Sequence, residues 1–309
     1  MNNRIVIALA LGLLLALPAA AQERFRTPEA AVEALDAAVK AKDDGKKLDR
    51  LLGPEFTRFH ESQVEDRAQM MARFARFDEN YSEFRSLSGT GDTRTLIVGA
   101  EGFPFPFPLV KRGNRWSFDG KAGVEELRNR YVGANEINAV SVLDIIAAAQ
   151  LEYLSNDQDG DGVVEYAARI ASTPGQRDGL YWTVDADDPD AVESPLEPLA
   201  DLATLVMGKR DAGEPFLGYH YQSLGGQGAA AKGGAWDYTI NGHQVAGFAA
   251  IAWPAVYGDT GVMTFIINQD GVIYEADLGA ETEAKAAAIT KFDPGEGWVE
   301  VRDEDIGAE

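Results

Sequence analysis

Residues 135–165 read NEINAVSVLDIIAAAQLEYLSNDQDGDGVVE and join a helical pattern to an acidic loop. Apolar side chains recur there at three- and four-residue spacing, which predicts a long helix from Asn135 to about Asn156. Its inner stripe is predicted to be Ile137, Val140, Leu143, Ala147 and Leu151. A single apolar stripe is stable only when a second apolar surface covers it, so we expect this helix to lie on a sheet.

Alternating segments downstream predict that sheet. Four antiparallel strands are predicted at residues 217–224, 236–240, 244–253 and 262–267, with a fifth, edge strand at 272–275. Turn sequences separate them, with Asn241-Gly242 closing the second pair and residues 268–271 (NQDG) the last. Residues 225–234 are typical of a flexible Gly/Ala loop. The expected fold class is α+β, with a long helix packed on an antiparallel sheet.

The region before residue 134 predicts a smaller α+β domain. Thr27 and Pro28 are typical of a helix start, and apolar residues continue on one face to Val39. A second helix is predicted at residues 67–81. Strands are predicted at 93–98, 109–112 and 115–118, the last two joined by Gly113-Asn114. Alternating Phe and Pro at 103–108 predict an extended segment whose rings either fill the edge of the core or line a groove.

The first 21 residues have the features of a secretory signal peptide. Arg4 precedes an apolar run of about 13 residues, shorter than the roughly 20 that span a bilayer, and Ala19-Ala20-Ala21 supplies an A-x-A cleavage site before Gln22. An uncleaved anchor is the alternative. We therefore expect a signal peptide at 1–21, domains at 22–133 and 134–309, no transmembrane segment after cleavage, and a periplasmic or secreted bacterial protein.

Composition excludes several classes of function. The 309 residues include 28 Lys and Arg, 50 Asp and Glu, and no Cys, for a formal net charge of -22. Without cysteine the chain has no disulfide, thiolate metal site or cysteine nucleophile. The negative charge repels phosphates, so we expect no nucleic-acid partner.

The acidic loop predicts a calcium site. Asp157, Asp159 and Asp161 occupy positions 1, 3 and 5 of a calcium loop, Gly162 position 6, and the carbonyl of Val163 position 7. The candidate metal ligands are Asp157, Asp159, Asp161, Val163 and Glu165. Position 12 is alanine rather than the usual bidentate glutamate, which predicts weak affinity. The alternative is a helix-terminating turn whose Asp side chains accept bonds from backbone amides.

Catalytic and cofactor-binding residues cannot be assigned from the sequence. His60, His220 and His243 are isolated, and no G-x-S-x-G, H-E-x-x-H or P-loop motif occurs. Six aromatic residues on neighbouring strands form either an aromatic floor for a glycan or peptide, or ordinary sheet packing: Tyr219, Tyr221, Trp236, Tyr238, Trp253 and Tyr257. The 178–182 segment (DGLYW) raises the same question.

A series of short motifs resembles the bacterial domain-of-unknown-function 2950 family. In order they are residues 27–32 (TPEAAV), 105–111 (FPFPLVK), 116–119 (WSFD), 135–136 (NE), 159–162 (DGDG), 178–182 (DGLYW) and 261–265 (GVMTF). The resemblance covers nearly all of the chain after residue 21 and implies an exported bacterial envelope protein, without implying an activity.

Two weaker resemblances concern the fold. The long helix that opens with Asn135-Glu136, followed by a loop and antiparallel strands, looks like the soluble part of type IV pilins and pseudopilins. The chain departs from them because a domain of about 110 residues precedes Asn135. The amino-terminal half loosely resembles nuclear-transport-factor-2-like cones.

Three functions follow as hypotheses. The first is a non-enzymatic envelope protein with a scaffolding, assembly or recognition role, whose partner is an envelope protein or a polysaccharide. The second is an envelope hydrolase of cell-wall or extracellular polymer that uses carboxylates with His220 or His243. The third is a calcium-dependent binding module.

Overall fold

A computed structural model describes residues 22–41, 45–62, 85–184, 192–196 and 215–302. It contains both helices and antiparallel sheets, so the α+β prediction is confirmed. The chain divides into two compact units, residues 1–127 and 128–309. The predicted signal peptide at 1–21 and the predicted helix at 67–81 lie outside the described residues.

In the described part of the first unit, three short helices precede the sheet: α1 (Pro28–Val39), α2 (Lys46–Leu52) and α3 (Pro54–Ser62). The predicted start of α1 is confirmed, because Thr27 Oγ1 accepts the Ala30 N–H at 3.2 Å and Pro28 follows at the first helical position. Gln22 ties the start of the described chain to this unit, since its Nε2 donates to the Leu51 and Phe118 carbonyls.

The sheet of the first unit has five antiparallel strands. They are β1 (Arg85–Ser88), β2 (Thr93–Val98), β3 (Phe103–Pro104), β4 (Leu109–Arg112) and β5 (Arg115–Phe118). The order is β1-β2-β4-β5, with β3 also paired to β2. The bounds predicted for β2, β4 and β5 are confirmed. A two-residue turn with a left-handed Gly113 fixes the register between β4 and β5.

The Phe/Pro segment fills the core of this unit. The Phe105 and Phe107 side chains are buried, whereas Phe103 is 48% exposed. Phe107 makes an edge contact with Phe56 at 5.5 Å between ring centroids, and a tilted one with Phe105 at 5.6 Å. Of the two predicted readings, filling of the core is therefore confirmed for two of the three rings.

The long helix α4 runs from Gly120 to Tyr153, so its predicted start at Asn135 is wrong by 15 residues. Asp119 caps the true start, because its Oδ1 accepts the Ala122 N–H at 3.2 Å. The sequence pattern did not predict the first part of this helix, because glycines at 120, 123 and 133 each disfavour a helix by about 1 kcal/mol relative to alanine.

The predicted stripe of α4 is also partly wrong. Ile137 is 43% and Leu151 59% exposed. The buried residues of α4 in the second unit are Ala139, Val140, Val142, Leu143, Ile146, Ala149 and Tyr153. Among the described helices, α4 is the one whose length and apolar composition would suffice to cross a membrane.

Five antiparallel strands form the main sheet of the second unit: β8 (Tyr219–Leu224), β11 (Ala249–Pro254), β12 (Met263–Asn268), β13 (Tyr274–Asp277) and β14 (Val299–Glu300). Their order in the sheet is β14-β13-β12-β11-β8. The fold also has a parallel pair, β6 (Arg169–Ala171) with β7 (Gly179–Tyr181), and an antiparallel pair, β9 (Gly226–Gln227) with β10 (Trp236–Asp237).

Helices cover both faces of this sheet. On one face α4 packs on Tyr219, Ala252, Phe265 and Ile267. On the other, α5 (Thr282–Ala288) contributes Ala286 to a second core with residues such as Ile251 and Ile266. The predicted helix on an antiparallel sheet is therefore present.

Several predicted strand bounds are wrong for local reasons. The first strand starts at Tyr219, because Leu217 and Gly218 take positive φ angles of 46° and 81°. The strand predicted at 236–240 is reduced to β10, which pairs outside the main sheet. The strand predicted at 244–253 starts at Ala249, after Gly247 at φ 136°. The predicted edge at 272–275 is internal, because β14 pairs with β13.

The Gly/Ala stretch at 225–234 is not a simple flexible loop. It contains β9, and Gln227 of that strand is fully buried. Gln227 Nε2 donates to the carbonyls of Lys232 and Gly234 at 2.9 and 2.8 Å, and Gln227 Oε1 accepts from Tyr238 and Gln269. A buried amide that uses both its oxygen and its nitrogen holds the surrounding backbone in one conformation.

Candidate metal centre

The acidic loop begins at Asp157, after residues 154–156 that follow the end of α4 at Tyr153, and the Asp157 carboxylate accepts hydrogen bonds from two of its backbone amides. Asp157 Oδ1 accepts the Gly160 N–H at 2.8 Å, and its Oδ2 accepts the Gly162 N–H at 2.9 Å. Both glycines are left-handed, with φ angles of 80° and 93°. The bonds from Gly162 and Gly160 lower the pKa of the Asp157 carboxyl. The loop thus has the amide contacts of the predicted acidic turn, and they leave lone pairs on each oxygen.

The next two aspartates turn their oxygens toward the same region. Asp159 Oδ1 accepts the Asp161 N–H at 3.3 Å, and Asp161 Oδ1 accepts the Val163 N–H at 2.8 Å. Asp157, Asp159 and Asp161 each offer a carboxylate oxygen, and these oxygens lie within 4.8 Å of one another. Partial desolvation, together with the nearby carboxylates, raises the pKa of Asp159. Three exposed carboxylates at this spacing suit a hard cation.

Glu165 belongs to a second group of ligand atoms. Its Oε1 lies 3.3 Å from His243 Nδ1, and Asp161 Oδ2 lies 3.1 Å from the same nitrogen. Its other oxygen, Oε2, accepts the backbone N–H of Gln244. Ligand atoms of Asp161, Glu165 and His243 therefore also lie within 4.8 Å of one another. Sequence spacing could not place His243 in a group of metal ligands, because it lies 78 residues from Glu165.

The end of the acidic loop is anchored to α4 through a buried glutamine. Gln150 Nε2 donates to the Ala167 carbonyl at 2.9 Å, and Gln150 Oε1 accepts the Ala167 N–H at 2.9 Å. Both residues are buried. Next to them, the Tyr166 N–H donates to the Gln244 carbonyl at 2.9 Å. These contacts bring the loop and the 243–244 segment together without using the candidate ligands.

His243 is held by the predicted Asn241-Gly242 turn. Ile240 and His243 exchange two backbone hydrogen bonds of 2.8 and 3.0 Å. Asn241 and Gly242 have positive φ angles of 54° and 95°, as a type I′ turn requires. A tight turn fixes the Cα position of His243, and 34% of its side chain stays exposed.

His220 lies in a different environment from His243. It is on the sheet face opposite Tyr219 and stacks on Trp253 with 5.4 Å between ring centroids. Burial lowers the pKa of His220, and the Glu283 carboxylate acts in the opposite direction. The side chain of His60 lies outside the described residues. Of the two histidines considered for hydrolysis, His243 is thus the one placed between two carboxylates.

The single aromatic floor considered for these strands is wrong, because the two faces of the sheet divide the rings. Tyr219 and Tyr221 belong to the core beneath α4, whereas Tyr238 and Trp253 belong to the core on the opposite face. Tyr219 is buried, and its hydroxyl donates to the Met263 carbonyl at 3.0 Å. Sheet packing therefore explains these four rings.

The 178–182 segment is structural as well. Asp178 accepts bonds from the Thr173 N–H and hydroxyl at 2.7 and 2.8 Å. Trp182 is buried and its Nε1 donates to the Val192 carbonyl at 2.9 Å. A side chain at Gly179 would lie 2.6 Å from the backbone of Ala171 and Ser172, so the parallel β6–β7 pair requires glycine there.

Comparison with known proteins identifies a family and no activity. A family model described as "Protein of unknown function (DUF2950)" matches residues 22–301. No curated protein and no solved structure matches the chain. Because the family model covers most of the sequence, the chain belongs to the DUF2950 family of proteins of unknown function.

Proposed function

We propose that this chain is an exported protein of the bacterial envelope with no catalytic role, in which the loop at 157–165 binds calcium. One observation carries the calcium part of the proposal: carboxylate oxygens of Asp157, Asp159 and Asp161 lie within 4.8 Å of one another after the end of α4. Calcium takes six to eight oxygen ligands, and three carboxylates supply half of the smaller number.

The remaining ligands are assigned by position in the loop. Val163 supplies its carbonyl at position 7, and Glu165, at position 9, acts through a water molecule, as is frequent at that position. Residue 168 is alanine, so the bidentate carboxylate of position 12 is missing. We expect a dissociation constant of about 0.1–1 mM, the range of extracellular calcium modules.

Calcium would change the surface at the end of α4. Its two positive charges would offset most of the negative charge of three adjacent carboxylates and so reduce their mutual repulsion. The ordered loop, together with the helix-on-sheet unit, suits a scaffolding, assembly or recognition role of the kind that pilin-like proteins have. The proposed partner is an envelope protein or a polysaccharide, and its capture should be lost on chelation.

The first prediction concerns the thermal stability of the chain from residue 22. After chelation, calcium at about ten times its dissociation constant should add about 1.4 kcal/mol. The expected rise in melting temperature is about 3–6 °C, at 2–4 °C per kcal/mol. Magnesium at the same concentration should give a smaller rise, because it dehydrates reluctantly and demands octahedral geometry.

The control for this measurement is a pair of variants with the same change of charge. Asp159→Asn removes a ligand and should abolish the calcium shift. Asp259→Asn removes an exposed carboxylate from another loop and should leave the shift unchanged. Equal shifts in both variants, or no shift in the unaltered chain, would show that the loop is only a structural turn.

Export has its own test. When the full chain is produced in a bacterium, mass spectrometry of the protein from the envelope fraction should find Gln22 as the first residue. The family match also begins at residue 22, which supports this boundary. A chain that keeps Met1 in the cytoplasmic fraction would contradict export, whatever the result of the calcium experiment.

A further inference from the structure

One imidazole nitrogen and two carboxylate oxygens, from His243, Asp161 and Glu165, lie close together beside the calcium loop. His243 Nδ1 lies 3.1 Å from Asp161 Oδ2 and 3.3 Å from Glu165 Oε1. An imidazole nitrogen carries at most one hydrogen, so this nitrogen cannot satisfy two carboxylates with well-directed hydrogen bonds. Of the two contacts, the one to Glu165 has hydrogen-bond geometry.

The distances between these atoms fit a small metal ion. Zinc binds imidazole nitrogen and carboxylate oxygen at about 2.0–2.2 Å in tetrahedral geometry. Ligand atoms around such an ion lie about 3.3 Å apart, a spacing that follows from those bond lengths. The two separations measured from Nδ1 are close to this value. The Asp161 and Glu165 ligand oxygens lie within 4.8 Å of each other, so closure of these two carboxylates onto the ion would complete the geometry.

We propose that Asp161, Glu165 and His243 form a site for a divalent transition metal ion of the zinc class, distinct in its chemistry from the calcium loop. Imidazole suits zinc, copper, iron and nickel, whereas calcium prefers oxygen ligands alone. Three protein ligands leave a fourth position of the tetrahedron for water.

The surroundings of these side chains hold them in place. Glu165 has an exposed side-chain fraction of only 12%, and its Oε2 accepts the Gln244 N–H, which turns Oε1 toward His243. Such contacts from outside the ligand set orient metal ligands and raise affinity. The 240–243 turn fixes the histidine from its own backbone.

The inference rests on the proposed calcium loop only through Asp161, which belongs to both groups of ligands. Glu165 fits both roles, because a water-mediated contact at position 9 leaves its oxygens available for a direct bond to the second ion. Asp157 would therefore bind only calcium and His243 only the zinc-class ion, so variants of these two residues distinguish the sites.

The test is calorimetric titration of the chelated, tag-free chain from residue 22 with zinc chloride and, separately, with calcium chloride. His243→Gln should weaken zinc binding by about 100-fold or more, since loss of a mere supporting contact already costs 10- to 100-fold. Its calcium binding should stay within about twofold. Asp157→Asn should show the reverse pattern, and Asp161→Asn should weaken both ions.

His220→Gln is the matched control, because it removes another half-buried imidazole and should leave zinc binding unchanged. Cobalt substitution gives a spectroscopic readout, in which the unaltered chain shows strong visible absorption from a tetrahedral ion and His243→Gln loses it. Circular dichroism checks that His243→Gln is folded, whether or not the chain binds calcium.

The outcomes separate the two ideas. Zinc binding that is absent, or equal in the unaltered chain and His243→Gln, overturns the zinc site whether or not calcium binds. Zinc binding that depends on His243 in a chain that ignores calcium supports this site and contradicts the proposed calcium loop.

Discussion

Replacing Phe107 by alanine should lower the free energy of unfolding of the first unit by about 3–5 kcal/mol, the usual cost of removing a buried phenylalanine. The ring is completely buried and contacts both Phe56 and Phe105. It also lies against Gly123 of α4, where a Cβ would overlap the ring. The cavity would open inside the core, where surrounding side chains relax only partly.

The same contact makes a prediction for α4. Gly123→Ala should destabilise by about 1–3 kcal/mol, the cost of overpacking, although alanine favours a helix. Gly133→Ala is the matched control, since a Cβ at Gly133 would meet no atom of the described residues within 4 Å. That substitution should stabilise by about 0.5–1 kcal/mol.

Urea unfolding followed by circular dichroism measures these changes. Hydrogen exchange in the β4–β5 hairpin locates the effects of Phe107→Ala and Gly123→Ala in the first unit. The Phe107→Ala and Gly123→Ala pair should be non-additive, because the smaller side chain makes room for the new methyl group. A cost for Phe107→Ala below about 1 kcal/mol, the level of ordinary substitutions, would mean that the ring is not part of the core.

Glu136→Ala should lower the stability of the second unit by about 3 kcal/mol. Glu136 Oε1 accepts the N–H groups of Val262 and Met263 at 2.8 and 3.0 Å, at the start of β12. Hydrogen bonds to a charged group contribute about 1.5–3 kcal/mol each. Its neighbour Asn135 donates to the Thr260 carbonyl at 2.9 Å, so this pair connects α4 to the 260–263 segment.

Two variants test whether the effect comes from these bonds. Glu136→Gln keeps an acceptor oxygen and should recover about half of the loss, because a neutral acceptor is about half as strong. Glu152→Ala removes an exposed carboxylate from the same helix and should change stability by less than about 0.5 kcal/mol. Equal losses for Glu136→Ala and Glu152→Ala in urea unfolding would contradict the anchoring role.

Local sequence was sufficient wherever neighbouring residues determine the conformation. The bounds of β2, β4 and β5 could be predicted because alternation and the two-residue turn at Gly113-Asn114 are local features. The same holds for the Thr27 cap, and for the acidic loop, whose glycines and aspartates interact within six residues. The motif series also sufficed to identify the family.

The start of α4 depended on tertiary structure. Glycine disfavours a helix locally, but Gly123 is needed because Phe107 occupies the space of a side chain. The buried stripe of α4 likewise followed the sheet and included Ala139, Val142 and Ile146, while Ile137 and Leu151 stayed exposed.

The sequence by itself determined the α+β class, the local strands and turns, and the three aspartates of the candidate calcium loop. Only the tertiary structure determined which distant residues meet, above all His243 with Asp161 and Glu165. The physical reason is range: turns and caps depend on hydrogen bonds within a few residues, whereas a mixed ligand set depends on which segments the hydrophobic core brings together.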